Sequence, residues 1–214
     1  MTTAMHTWRR LVYGMAAIAT LACAEGTGAP TEVERLTADV VAATTVTPDG
    51  EVQVATLPVT TTFSVNVNTG GDFKIADEHW IHFPRRAICD PASTYGPAQW
   101  DAPCAAATGK IEITAVSWRD ATGRPRIDFT PALRFVPSGK DNAWVTLTFA
   151  DRTAAHDRDA LILYCGDDDV CSDETLVDAT LATNRSRKLG TLSRRIKHFS
   201  GYLVSAGRTG VYTY

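Results

Sequence analysis

The chain has 214 residues, with 21 Lys and Arg against 24 Asp and Glu and a formal charge of −3 at pH 7. That length suits one domain, and the mildly acidic balance gives no electrostatic footprint for nucleic acid, which is excluded as a partner.

Arg9-Arg10 precede the apolar run Leu11–Ala22, whose roughly twelve residues are too few to span a bilayer and fit a signal peptide, residues 1–22. Two processing routes stay open. Ala19-Thr20-Leu21-Ala22-Cys23 resembles a degenerate bacterial lipobox, with Thr20 where Leu is usual, and would leave a lipid-modified Cys23 at the mature N-terminus. Ala22-Cys23-Ala24 is also an A-x-A site for ordinary signal peptidase. The lipobox is preferred, because the apolar run stops at the cysteine and a polar tether, residues 23–50, follows it. Loss of Arg9 and Arg10, with no acidic residue before Glu25, takes the formal charge from −3 to −5. No later stretch is long and apolar enough to cross a membrane, so membrane contact is expected only through the lipid. The expected location is a bacterial cell envelope, lipid-anchored at the outer membrane or in the periplasm, or the secreted fraction.

Within the tether a short helix over residues 31–42 is the one element with any pattern behind it. After Gly50 the texture becomes short alternating, β-branched runs punctuated by Gly, Pro, Asn and Asp, which read as strands. They fall at 51–57, 61–67, 72–75, 78–83, 110–118, 126–130, 133–136, 143–149, 160–164, 176–181, 191–198 and 201–205. Ile111, Ile113 and Ala115 share one face against Glu112 and Thr114, and Val145, Leu147 and Phe149 oppose Trp144, Thr146 and Thr148. One face of each strand therefore meets a core. Many short strands at this spacing, with no amphipathic helix, indicate an all-β, antiparallel β-sandwich over residues 51–214.

Of five cysteines, Cys23 leaves the thiol pool by either route, and Cys89, Cys104, Cys165 and Cys171 remain. An even number in an exported chain suggests two disulfides. Three pairings are formally possible; Cys89 with Cys104 and Cys165 with Cys171 closes the shortest loops at the least chain-entropy cost. The first bridge would pin the excursion 90–103, which carries Tyr95 and Trp100.

Trp80-Ile-His-Phe-Pro-Arg-Arg-Ala-Ile88 resembles the strand-and-turn signature "l-x-I-P-x-G-A-l" of the ZU-five domain, the β-sandwich of netrin receptors, ankyrins and tight-junction scaffolds. Ile111-Glu-Ile-Thr114, Phe129-Thr-Pro-Ala-Leu-Arg-Phe135 and Ala143-Trp-Val-Thr-Leu147 look similar to strands that follow in that family. Ile196–Val204 resembles the end of its uncharacterised bacterial secreted and lipoprotein relatives. The likeness covers about residues 60–206, with Arg86 standing where the family has glycine. It implies an immunoglobulin-like sandwich that serves as an interaction or structural module without catalytic residues.

The acidic run Asp167-Asp168-Asp169 between Cys165 and Cys171 offers oxygen ligands for calcium, but adjacent carboxylates on a turn usually face water and the spacing is not an EF-hand. No metal or other cofactor is therefore expected. His79 and His82, three apart in a strand, point to opposite faces, so one packs and the other is exposed. The basic residues Arg185, Arg187, Lys188, Arg194, Arg195 and Lys197 read as a solvated strand edge. No nucleophile elbow, phosphate loop or dinucleotide fingerprint occurs. The expected function is a non-enzymatic, envelope-anchored interaction or structural module for a protein or cell-surface glycan. The alternative is a secreted carbohydrate-binding module or hydrolase, with Tyr95 and Trp100 as coplanar, exposed rings beside a carboxylate-lined groove.

Overall fold

The computed structural model describes residues 56–76, 78–120, 122–137, 144–166 and 170–205, with the backbone of 44–46 and 52–54, all inside the unit Val40–Tyr214. The signal peptide, Cys23, the 31–42 helix and Asp167, Asp168 and Asp169 lie outside the described residues.

β1 (Thr44–Val46) and β2 (Val52–Val54) pair as a short antiparallel hairpin that straddles the boundary placed at residue 50. The strands β3 (Val59–Asn66), β4 (Gly71–Ile75), β5 (His79–Phe83), β6 (Lys110–Arg119), β7 (Pro125–Thr130) and β8 (Val145–Ala150) follow. A single-turn helix α1 (Arg152–His156), capped by the Asp151 side chain, leads into β9 (Leu161–Cys165) and β10 (Cys171–Ser172). β11 (Asn184–Ser186), β12 (Thr191–Ile196) and β13 (Gly201–Ser205) complete the chain order.

These strands form two antiparallel sheets, one of six in the order β10-β9-β13-β7-β6-β3 and one of five in the order β11-β12-β8-β5-β4. The fold is an all-β sandwich. Val145, Leu147 and Phe149 on β8 are buried while Thr146 and Thr148 stay half-exposed, the period-2 pattern read from the sequence. Phe83 sits at the middle of the inter-sheet core, edge-on to Phe73, Phe135 and Phe199 at about 6 Å, and Phe129 lies parallel to Phe199 at 4.3 Å. The fully buried rings of this set, Phe83 and Phe199, each contribute roughly 1.5–3 kcal/mol of hydrophobic stabilisation, and Phe73 packs on this core half-buried. The chain passes from β3 to β4 at Gly70, whose φ of +68° and an ideal Cβ only 2.1 Å from the Phe83 carbonyl admit no side chain. At Gly201 a Cβ would meet an Asp128 side-chain oxygen at 2.4 Å and the Cys165 Cβ at 3.2 Å, so a larger residue there would have to displace the Asp128 carboxylate.

Three expectations differ from the fold. Residues 133–136 form isolated bridges, Arg134 with His198 and Phe135 with Ile88, rather than a strand. Residues 176–181, whose Leu, Val and Leu suggested alternation, instead form 3-10 turns at Glu174–Leu176 and Ala179–Leu181. The physical cause is capping: the Asp173 and Asp178 carboxylates accept the N–H groups of Thr175 and Thr180 and start a turn where a strand would need those N–H groups free. The basic cluster is also not one solvated edge: Arg185 lies on the edge strand β11, but Arg194 and Lys197 are buried.

His79 is fully buried against Phe149 at 5.1 Å, and its Nδ1 accepts the Ala150 N–H at 3.1 Å, whereas His82 is exposed beside Asp72. Burial first, then the Arg119 charge, opposed by Asp151, lowers the His79 pKa from 6.5 to about 4. The folded state thus holds a neutral imidazole, and between pH 6.5 and about 4 the unfolded chain binds the extra proton, so stability falls as pH falls through that window. Urea midpoints measured across it should drop in the natural chain, and His79→Gln, which keeps an acceptor for Ala150, should flatten the drop; equal slopes would refute the assignment.

Candidate binding groove

The excursion 90–103 is fixed at several points. Cys89 and Cys104 are disulfide-bonded with Cα atoms 5.7 Å apart, and Cys165 and Cys171 form the second bridge, facing each other across β9 and β10. Both expected pairings are thus present, and they suggest an oxidising, extracytoplasmic environment. The buried Arg134 donates through Nη1 to the carbonyl oxygens of Gln99 and Ala102, the latter at 2.7 Å. The Tyr95 hydroxyl donates to the Phe199 carbonyl, and Trp100 stacks on His198 at 3.6 Å and 17°. The loop is a wall rather than a loose excursion.

Opposite it stands the segment 172–181, shaped by the two Asp-capped turns. Between the walls, over Tyr164 and Lys197, runs a groove of about 720 Å³. Leu176 and Val177 border it at 85% and 94% exposure, an adjacent pair of apolar side chains left in water.

Beneath the groove the charged groups pair with one another. Arg194, fully buried because Leu192, Arg194 and Ile196 share the inner face of β12, donates to the Ile162 carbonyl at 2.6 Å and to Glu174 Oε2. Glu174 Oε1 meets His198 Nε2 at 3.1 Å. Tyr202 donates to the His198 carbonyl at 2.7 Å, and burial, then the Glu174 charge, pushes its phenol well above the usual tyrosine range. Lys197 Nζ bridges Asp101 at 2.5 Å and Asp178 at 2.6 Å. Burial would raise the Asp178 pKa, but hydrogen bonds from Lys197 and Thr180 outweigh it and hold the carboxyl at about 2; hydrogen bonds to Asp101 and Asp178 raise Lys197 against its own burial.

The charged groups around the groove are committed to one another. Both Glu174 oxygens are engaged by cationic or ring nitrogens, and Asp178 and Lys197 are locked into their charged forms near neutral pH. Among the described residues no three His, Cys, Asp or Glu side chains converge as metal ligands. Trp100 lines the groove and Tyr95 does not, and the two rings do not form the expected platform. Both turn to His198, Trp100 parallel to it and Tyr95 edge-on at 87°, so their rings are not coplanar. Sequence reasoning did not place Tyr164, Glu174 or His198 at a groove and read Arg194 and Lys197 as part of a solvated edge; the available signal for the buried arginine was its phase with Leu192 and Ile196.

No protein-family model matches the chain, and neither a curated protein nor a solved structure matches it.

Proposed function

We propose that the chain is a non-enzymatic binding module of the cell envelope, a ZU-five-like sandwich held to the membrane by a lipid on Cys23, whose groove takes an extended segment of a partner protein. The observation that carries this is the groove itself, a preformed cleft between two fixed walls with Leu176 and Val177 exposed at its rim. Neighbouring apolar side chains suit a polypeptide, and the crossed rings of Tyr95 and Trp100 do not offer the flat face a sugar ring stacks on. Arg86 supports the family resemblance: it adopts φ 56°, the left-handed region that glycine favours, where the family has its glycine.

A photo-crosslinking residue at Val177, in cells, tests the groove, with Leu189 as an exposed control outside it. A discrete protein-sized adduct at 177 and none at 189 is expected; a glycan adduct, or equal labelling at both, overturns the reading. For the anchor, mass spectrometry of the membrane fraction should find a diacyl or triacyl mass on the Cys23 peptide. A mature N-terminus at Glu25 would sink it.

A further inference from the structure

The sheets end in β3 and β4 on one side of the sandwich and in β10 and β11 on the other. Three of these edges carry features by which soluble β-proteins resist strand addition. β10 has two residues, β11 has three and includes Arg185, and β4 presents Asp72 and Lys74. β3 has none of them: its eight residues, Val-Thr-Thr-Thr-Phe-Ser-Val-Asn, contain no charge and no proline.

The ladder fixes which backbone groups face outward. Val67 N–H donates to the Gly109 carbonyl at 3.0 Å, and the β3–β6 register continues without a break from Asn66 opposite Lys110 to Val59 opposite Ser117. Bonded and non-bonded pairs alternate along an antiparallel ladder, so Thr61, Phe63 and Val65 bond to β6, while Thr60, Thr62 and Ser64 direct their N–H and C=O groups away from it. Asn66 obeys the same parity, its carbonyl accepting from Thr69 and Gly70 instead of β6. Among the described residues no segment hydrogen-bonds to the backbone of Thr60, Thr62 or Ser64, and the side chains of all three are exposed.

We propose that a second copy of this chain adds to β3, antiparallel, giving a two-fold dimer in which two six-stranded sheets join edge to edge. Pairing the outward groups of one copy with those of the other sets Thr62 on the axis opposite itself and Thr60 opposite Ser64. This ladder is its own complement, as a two-fold interface requires. Hydroxyl meets hydroxyl at every outward position, and the strand brings no like charges together. Leu57 and Val59, 53% and 49% exposed at the start of the strand, lie at both ends of the joint ladder and add apolar surface to it. Self-pairing is favoured over capture of a foreign strand because the edge offers hydroxyls and backbone alone, with no charge to select another sequence.

Sedimentation velocity of the full chain in detergent, over a concentration series, tests this beside Thr62→Lys and Thr62→Pro. The lysine variant sets two ammonium groups across the axis; the proline variant deletes an outward N–H, which leaves the β6 ladder intact. The natural chain should reach a dimer, and each variant that retains its far-ultraviolet circular dichroism should associate roughly tenfold more weakly or worse. A natural chain that stays monomeric throughout, or a folded variant that dimerises as well as the natural chain, overturns the proposal; should one variant fail to fold, the other decides.

Discussion

Glu174→Ala is expected to destabilise the fold by about 3–5 kcal/mol, the usual result of removing one partner of a buried ion pair. The charge left behind is Arg194, which is fully buried and whose other hydrogen-bond acceptor among the described residues is the Ile162 carbonyl. Coulomb attraction weakens in proportion to dielectric, so the same loss at an exposed pair such as Arg158–Asp159, 3.9 Å apart, should stay below about 0.5 kcal/mol. His198 loses its acceptor in the same variant, and the ring under Trp100 is released. Against a total stability of roughly 5–15 kcal/mol the effect would be visible as a large drop in the urea midpoint. The double variant Glu174→Leu with Arg194→Met should recover most of the loss, since it removes the charge and its partner together and keeps the volume apolar. A single-variant loss under about 1 kcal/mol would mean that Arg194 reaches water when unpaired.

Why the ion network was hidden while the sandwich was legible follows from how each is encoded. A strand writes its buried face into every second residue, so Val145, Leu147 and Phe149 announce the core without reference to any other segment. Disulfide pairing was similarly local, because the loop-closure argument needs only spacing. Arg194 and Glu174 are different: they are twenty residues apart, and their pairing depends on a turn that brings 174 back over β12. That turn was itself obscured, since Leu176, Val177 and Leu181 imitate strand alternation while Asp173 and Asp178 cap turns instead. The groove therefore arises from the one segment in which hydrophobic pattern and capping chemistry disagree. Apolar residues that serve no core are left at its rim.

The second large effect is expected from the Cys89–Cys104 bridge. Replacing both cysteines with alanine should lower stability by about 3 kcal/mol in the chain-entropy account of a loop of some fifteen residues, against about 2 kcal/mol for the shorter Cys165–Cys171 loop. The two losses differ in where they appear. Cys165 and Cys171 are packed with Leu161, Leu163 and Leu203, so their removal should loosen β9 and β10 and speed amide exchange there. Cys89–Cys104 closes the wall that carries Trp100 and Asp101, but Arg134 and the Tyr95 hydroxyl still hold that wall by hydrogen bonds. The groove should therefore survive in the double-alanine variant at neutral pH and lose its wall when Arg134→Ala and Tyr95→Phe are added, which remove the hydrogen-bonded fastening as well. Hydrogen exchange at residues 95–102 reads this directly: a modest acceleration without the bridge, and near-unprotected exchange only when both fastenings are gone. Full loss of protection from the disulfide change alone would mean that the bridge, and not the arginine, positions the aromatic wall.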